Sequence, residues 1–160
     1  MLTRPLPHAL AVAFVLTLLA ACHSQGGEKA QASPAATDIP TLQPAELATR
    51  LRAPGDKPLL FHVGFKKLYE QAHIPGSEFF GPTSEPEVVE SLRQRVTREP
   101  RDREIVIYCG CCPWSRCPNV KPAYGALHEL GFTRVKVLYI DDDFGADWVA
   151  KGYSGTCQRF

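Results

Sequence analysis

The sequence predicts an α/β fold with a mostly parallel central sheet and helices on both faces. Two observations predict it. Three short runs, 58–63, 104–108 and 135–140, are dominated by Val, Ile, Leu, Phe and Tyr, as strands covered on both faces are. Segments of helical character lie between them, and strands alternating with helices build parallel sheets.

The elements follow in order. "QPAELATRLRAPG" (43–55) has Pro44 at a first helical position, Leu47 and Leu51 four apart, and Gly55 as a stop. "PLLFHV" (58–63) is the first strand. "KKLYEQA" (66–72) reads as a short helix leading into the turn "HIPG" (73–76). In "SEPEVVESLRQRV" (84–96), Ser84 is the expected cap, and Val88, Val89, Leu92 and Val96 share a face. "EIVIY" (104–108) is the second strand. "NVKPAYGALHELG" (119–131) has Asn119 as cap, Pro122 in the first turn, Leu127 and Leu130 on a common face, and Gly131 as stop. "VKVLYI" (135–140) is the third strand, and "FGADWVAKGY" (144–153) a final short helix or turn.

Residues 1–21 read as an export signal, with Arg4 before an apolar run too short to span a bilayer comfortably. The run ends Leu19-Ala20-Ala21-Cys22, which resembles a bacterial lipobox. That resemblance implies a lipidated Cys22 as the first mature residue and, with His23 following, an outer-membrane anchor facing the periplasm. Residues 22–40, rich in Ala, Ser, Gly, Gln and Pro without aromatics, read as a flexible tether. The body, 41–160, suffices for one core. Its charges nearly balance with no basic block, which argues against a nucleic-acid partner.

"YCGCCPWSRCPN" (108–119) holds four of the six cysteines. Cys109 directly follows a buried strand, and sites in parallel sheets lie beyond the carboxyl ends of strands. The loop feeds the helix starting near Asn119, so amide dipoles favour a thiolate at Cys109. Arg116 offers a planar fork of donors for an oxyanion such as thiosulfate. Cys112, three residues from Cys109, has the spacing of a redox partner, and Cys117 at the helix mouth is a second resolving candidate. Disulfide stapling is the structural alternative, since an exported chain meets oxidant. With Cys157 five thiols remain outside the anchor, so pairing leaves one free. A metal is not expected, because adjacent Cys111 and Cys112 fit one tetrahedral ion poorly and the loop has no histidine; cuprous copper would suit the set better than zinc.

Four segments together resemble rhodanese-like domains. "YEQAHIPGS" (69–77) is similar to their histidine-isoleucine-proline-glycine turn, and "EIVIYC" to the strand ending in the active cysteine. "ALHELGF" is similar to the helix after the active loop, and "DWVAKGY" to the closing tryptophan-to-glycine segment. The resemblance covers about Thr41 to Tyr153. It implies an α/β rhodanese-like fold without a cofactor and transfer of a sulfane sulfur, as a cysteine persulfide, from a small donor to a thiol acceptor. Where family members carry Asp and Arg, this chain has His62, Gly64 and Phe65, and its active loop is longer. The family's spacing to arginine points to Cys111 with Arg116, whereas position after the strand points to Cys109. A thiol–disulfide redox protein and a silent binding module are the other readings.

The remaining candidates have structural readings. His73 is expected to be a turn residue bonded to backbone, and His62 a satisfied strand histidine. "DDDFGADW" (141–148) lacks the calcium-loop pattern. Trp114 reads either as a wall of the site or as loop packing.

Overall fold

The computed structural model describes residues 39–153 and the backbone of a strand at Thr156–Cys157. The predicted signal peptide, Cys22 and nearly all of the tether lie outside the described residues. Among the described residues no helix is long and apolar enough to cross a membrane.

Among the described residues, seven strands and four α-helices follow one another as β1 (Thr41–Leu42), α1 (Pro44–Arg52), β2 (Leu59–His62), α2 (Lys66–Gln71), β3 (Ala72–His73), β4 (Glu78–Phe79), α3 (Pro86–Arg95), β5 (Ile105–Tyr108), α4 (Val120–Glu129), β6 (Val135–Leu138) and β7 (Thr156–Cys157). The main sheet has the order β1-β6-β5-β2-β4, and every neighbouring pair is parallel. A separate antiparallel pair joins β3 to β7.

The central strand β5 shows why its sequence is apolar throughout. Its alternate side chains enter two cores. Ile105 and Ile107 pack with Phe61, Leu92, Val96, Val120 and Leu127, under α3 and α4. Val106 and Tyr108 pack with Leu47, Ala48, Leu60, Phe144 and Trp148, under α1 and the closing turn. Helical segments therefore cover both faces, as the sequence predicts.

Local details differ from expectation. Ser84 does not cap α3: the helix begins at Pro86, and Glu85 stands at the cap without a side-chain bond. The proline fixes the first turn by itself. The Ser84 amide instead donates to Asn119 Oδ1 at 3.1 Å. Asn119 occupies the α4 cap position, yet its backbone is already helical and its side chain caps nothing. The body starts earlier than Thr41, since Ile39 is buried and the Pro40 carbonyl accepts the Val137 amide. The final helix is a single wide turn at Gly145–Val149, closed by the Ala150 amide donating to the Gly145 carbonyl at 2.8 Å.

Two contacts fix the carboxyl end of β5. The buried Tyr108 hydroxyl accepts the Ile74 amide at 3.1 Å and bonds Ser77 Oγ at 2.8 Å, tying the "HIPGS" turn to the strand. Gly110 has φ +88, a conformation that favours glycine, and a β-carbon there would lie 2.8 Å from Phe144 Cβ.

Candidate active site

Cys109 continues the Ile105–Ile107 face one step beyond β5, so its side chain turns toward α4 and is 3 % exposed. Four donors gather around its sulfur. Cys117 donates its S–H, Asn119 Nδ2 donates at 3.5 Å, and Cys111 supplies its amide together with a thiol 3.3 Å away. The Cys117 bond is the largest influence, and against the opposing effect of burial these donors hold the Cys109 thiol down to about 6. Donating to Cys109, with burial adding to the effect, pushes the Cys117 thiol up. Burial, followed by its bonds to Cys112 and Cys109, pushes Cys111 up to about 12. At neutral pH the cluster therefore holds its thiolate on Cys109, with thiols at Cys111 and Cys117.

Asn119, expected as a helix cap, is a site residue instead. It is fully buried and held from two sides, its Oδ1 by the Ser84 amide and its carbonyl by the Thr83 hydroxyl. Those bonds leave Nδ2 directed at the Cys109 sulfur.

A cavity of about 490 Å³ opens beside Cys109 and Cys111. Leu68, Ala72, Phe144 and Val149 give it apolar wall, and His62, Gln71 and Asp143 give it polar wall. Among the described residues no Lys or Arg lines it. Arg116, expected to hold an oxyanion, sits exposed on a 3₁₀ turn (Trp114–Arg116) outside that wall. Trp114 packs against the α4-side core and takes no part in the wall.

The four loop cysteines are free thiols in the structure. Close sulfur contacts run from Cys109 to Cys111 and from Cys111 to Cys112, each at 3.3 Å. Cys109 thus has Cys111 and Cys117 beside it, and the Cys112 sulfur meets Cys111 instead, because the loop turns sharply at Gly110. Cys157 pairs through its backbone with Ala72.

His62 faces the site from β2. Its ring bonds the Cys109 carbonyl, its Nδ1 accepts the Gly64 amide at 3.4 Å, and burial lowers its pKa to about 4. It is a neutral wall residue that orients the strand end. His73 is bonded through Nδ1 to the Tyr69 carbonyl at 2.8 Å and stacks on the Tyr69 ring, as expected of a turn histidine. The acidic loop serves backbone: Asp147 Oδ2 accepts the Asp141 and Asp142 amides, and Asp143 Oδ1 accepts that of Ala146.

The model of the rhodanese-like domain family matches residues 43–141. The chain belongs to the rhodanese-like family. No curated protein matches it closely enough to count as a relative. Among solved structures, a rhodanese-like domain from Anabaena is similar at 21 % identity and TM-score 0.52, over 74 % of this chain and 79 % of that one. A Bacillus halodurans protein is similar at 19 % identity and TM-score 0.56, over 74 % and 77 %. A single-domain sulfurtransferase of Saccharomyces cerevisiae is similar at 18 % identity and TM-score 0.52, over 71 % and 91 %. At these identities the likeness establishes the fold, an α/β sheet flanked by helices.

Proposed function

We propose that this rhodanese-like domain transfers sulfane sulfur through a persulfide on Cys109, and that Cys22 anchors it by lipid in the cell envelope. The observation that carries the catalytic reading is the Cys109 sulfur itself: ringed by donors, beyond the end of β5, and open to a cavity. The same arrangement favours Cys109 over Cys111 as the nucleophile. The thiolate attacks the outer sulfur of a donor, the donor's S–S bond breaks, and its electron pair leaves on sulfite or on a thiolate. An acceptor thiolate then takes the outer sulfur, and Cys109 departs as a thiolate, which its lowered pKa favours.

The cavity wall bears on the donor. With a carboxylate at Asp143, and no cation among the described residues that line it, the wall suits a small organic persulfide better than dianionic thiosulfate. Reduced protein given each donor is examined by mass for one added sulfur on the loop peptide. The adduct forms faster with the organic persulfide, Cys109→Ser abolishes it, and Arg116→Ala leaves it. An adduct that survives in Cys109→Ser but is lost in Cys111→Ser moves the nucleophile to Cys111. Absence of any adduct with either donor overturns the transfer reading.

A thiol–disulfide reading is favoured by the 3.3 Å contact between Cys109 and Cys111. It requires the pair to cycle between dithiol and disulfide without a sulfur donor, which titration in thiol/disulfide buffers reads directly. The anchor rests on the Leu19–Cys22 lipobox alone. Cys22→Ser is expected to accumulate as precursor or to lack the lipid mass, and recovery of wild type as an unlipidated chain refutes the anchor.

A further inference from the structure

The sulfurs of Cys109, Cys111 and Cys117 all lie within 4.8 Å of one another. Metal–thiolate bonds of about 2.3 Å in a trigonal plane set sulfurs about 4 Å apart, so this triangle needs only small side-chain adjustments to close on one ion. No His, Asp or Glu among the described residues joins the group, which makes the donor set purely soft. Nor, among the described residues, does the group extend to Cys112, whose sulfur meets that of Cys111 at 3.3 Å. The site therefore offers three sulfurs. Zinc in protein sites is almost always four-coordinate, whereas cuprous ion accepts three thiolates.

The geometry points to Cys109, Cys111 and Cys117 as a trigonal thiolate site for Cu(I). The ion reaches the sulfurs from the cavity that Cys109 and Cys111 line, displaces the protons of Cys111 and Cys117 to water, and undergoes no redox change. Three thiolates around Cu(I) leave negative charge. Amide donors are already in place to take part of it: Asn119 Nδ2 and the Cys111 N–H on Cys109, and the Asn119 N–H on Cys117. Copper and a persulfide compete for Cys109, so the copper-loaded chain is inert in sulfur transfer.

The test reads copper itself, so its outcome is independent of whether the metal-free chain moves sulfur. The full chain, reduced and stripped of metal, receives Cu(I) as its acetonitrile complex without oxygen and is challenged with bicinchoninate. One Cu(I) per chain is retained, and X-ray absorption at the copper edge shows sulfur neighbours only, three in number. Cys111→Ser and Cys117→Ser each weaken retention at least about tenfold, while Cys112→Ser keeps it. Loss of all copper to bicinchoninate overturns the proposal, as does full retention in Cys111→Ser and Cys117→Ser. Nitrogen or oxygen neighbours at the copper, or uptake of Zn(II) with a requirement for Cys112, also overturn it. If Cys117→Ser fails to fold, the absorption spectrum of wild type decides.

Discussion

A β-carbon at position 64 would stand 2.7 Å from the Cys109 sulfur and 3.1 Å from the Cys109 carbonyl oxygen. Gly64 thus lets the chain after β2 pass directly beneath the nucleophile. The absence of a side chain at this point is a positive feature of the site. It allows the thiolate to lie in its ring of donors, and it leaves the His62 ring free to bond the Cys109 carbonyl.

Gly64→Ala is expected to push the Cys109 sulfur off its donors. Crowding of this kind in a packed interior costs about 1–3 kcal/mol. Urea unfolding should show a lowered midpoint, and alkylation of Cys109 at neutral pH should slow because the displaced thiol loses its hydrogen bonds. Unchanged midpoint and unchanged alkylation would show that the strand can shift at no cost.

Cys117 is the leading cause of the low Cys109 pKa, and it acts as a donor. Cys117→Ala removes the donor and Cys117→Ser keeps an O–H in its place. With the Cys109 thiol held at about 6, wild type is mostly thiolate at pH 7. Removing the donor moves the midpoint of the alkylation–pH profile upward and lowers the rate at pH 7 by roughly tenfold. The serine variant should retain most of the rate. Equal behaviour of the two variants would assign the effect to packing.

His62 should not titrate in the neutral range. Burial lowers its folded pKa to about 4, below the 6.5 of an exposed histidine, so the unfolded chain binds the extra proton between those values. Stability attributable to His62 is complete above pH 6.5 and is lost as pH falls toward 4, by about 3 kcal/mol at most. Histidine NMR titration and unfolding at pH 7 and pH 5 measure both effects. In His62→Phe this part of the acid sensitivity should disappear.

The legibility of this chain follows burial and sequence separation. Strands β2, β5 and β6 were readable because covering on both faces demands apolar residues in succession. The two-residue strands β1 and β4 at the edges of the main sheet carry no period that a sequence could reveal. The position of Cys109 was legible from the strand it ends. The roles of its neighbours were not, because contacts across the fold set them. Asn119 read as a cap, but Thr83 and Ser84 turn it toward the sulfur. Gly64 stands in sequence only where family members carry a polar residue, and it is the parallel register of β2 against β5 that brings it beneath Cys109. Arg116 has the right chemistry for an oxyanion, and the 3₁₀ turn carries it out to solvent.

The last expectation concerns the lifetime of the persulfide. Once Cys109 carries an outer sulfur, the Cys111 thiol, 3.3 Å from the Cys109 sulfur in the resting site, is an adjacent internal nucleophile that lies on the cavity wall. Burial and its sulfur contacts keep Cys111 protonated at neutral pH, so its attack is slow and an external acceptor has time to collect the sulfur. When Cys111 does attack the inner sulfur, a Cys109–Cys111 disulfide forms and hydrosulfide leaves, and an external dithiol must then reduce the pair. Raising the pH above neutral deprotonates more of Cys111 and should speed this internal release. Cys111→Ser should lengthen the persulfide lifetime without an acceptor several-fold and stop release of hydrosulfide at the loop. Cys112→Ser, one sulfur further along, should alter the lifetime much less. Timed mass spectra of the loop peptide, with hydrosulfide assayed in parallel, separate the two. Equal lifetimes in wild type and Cys111→Ser would show that Cys111 only shapes the site and takes no part in resolving the persulfide.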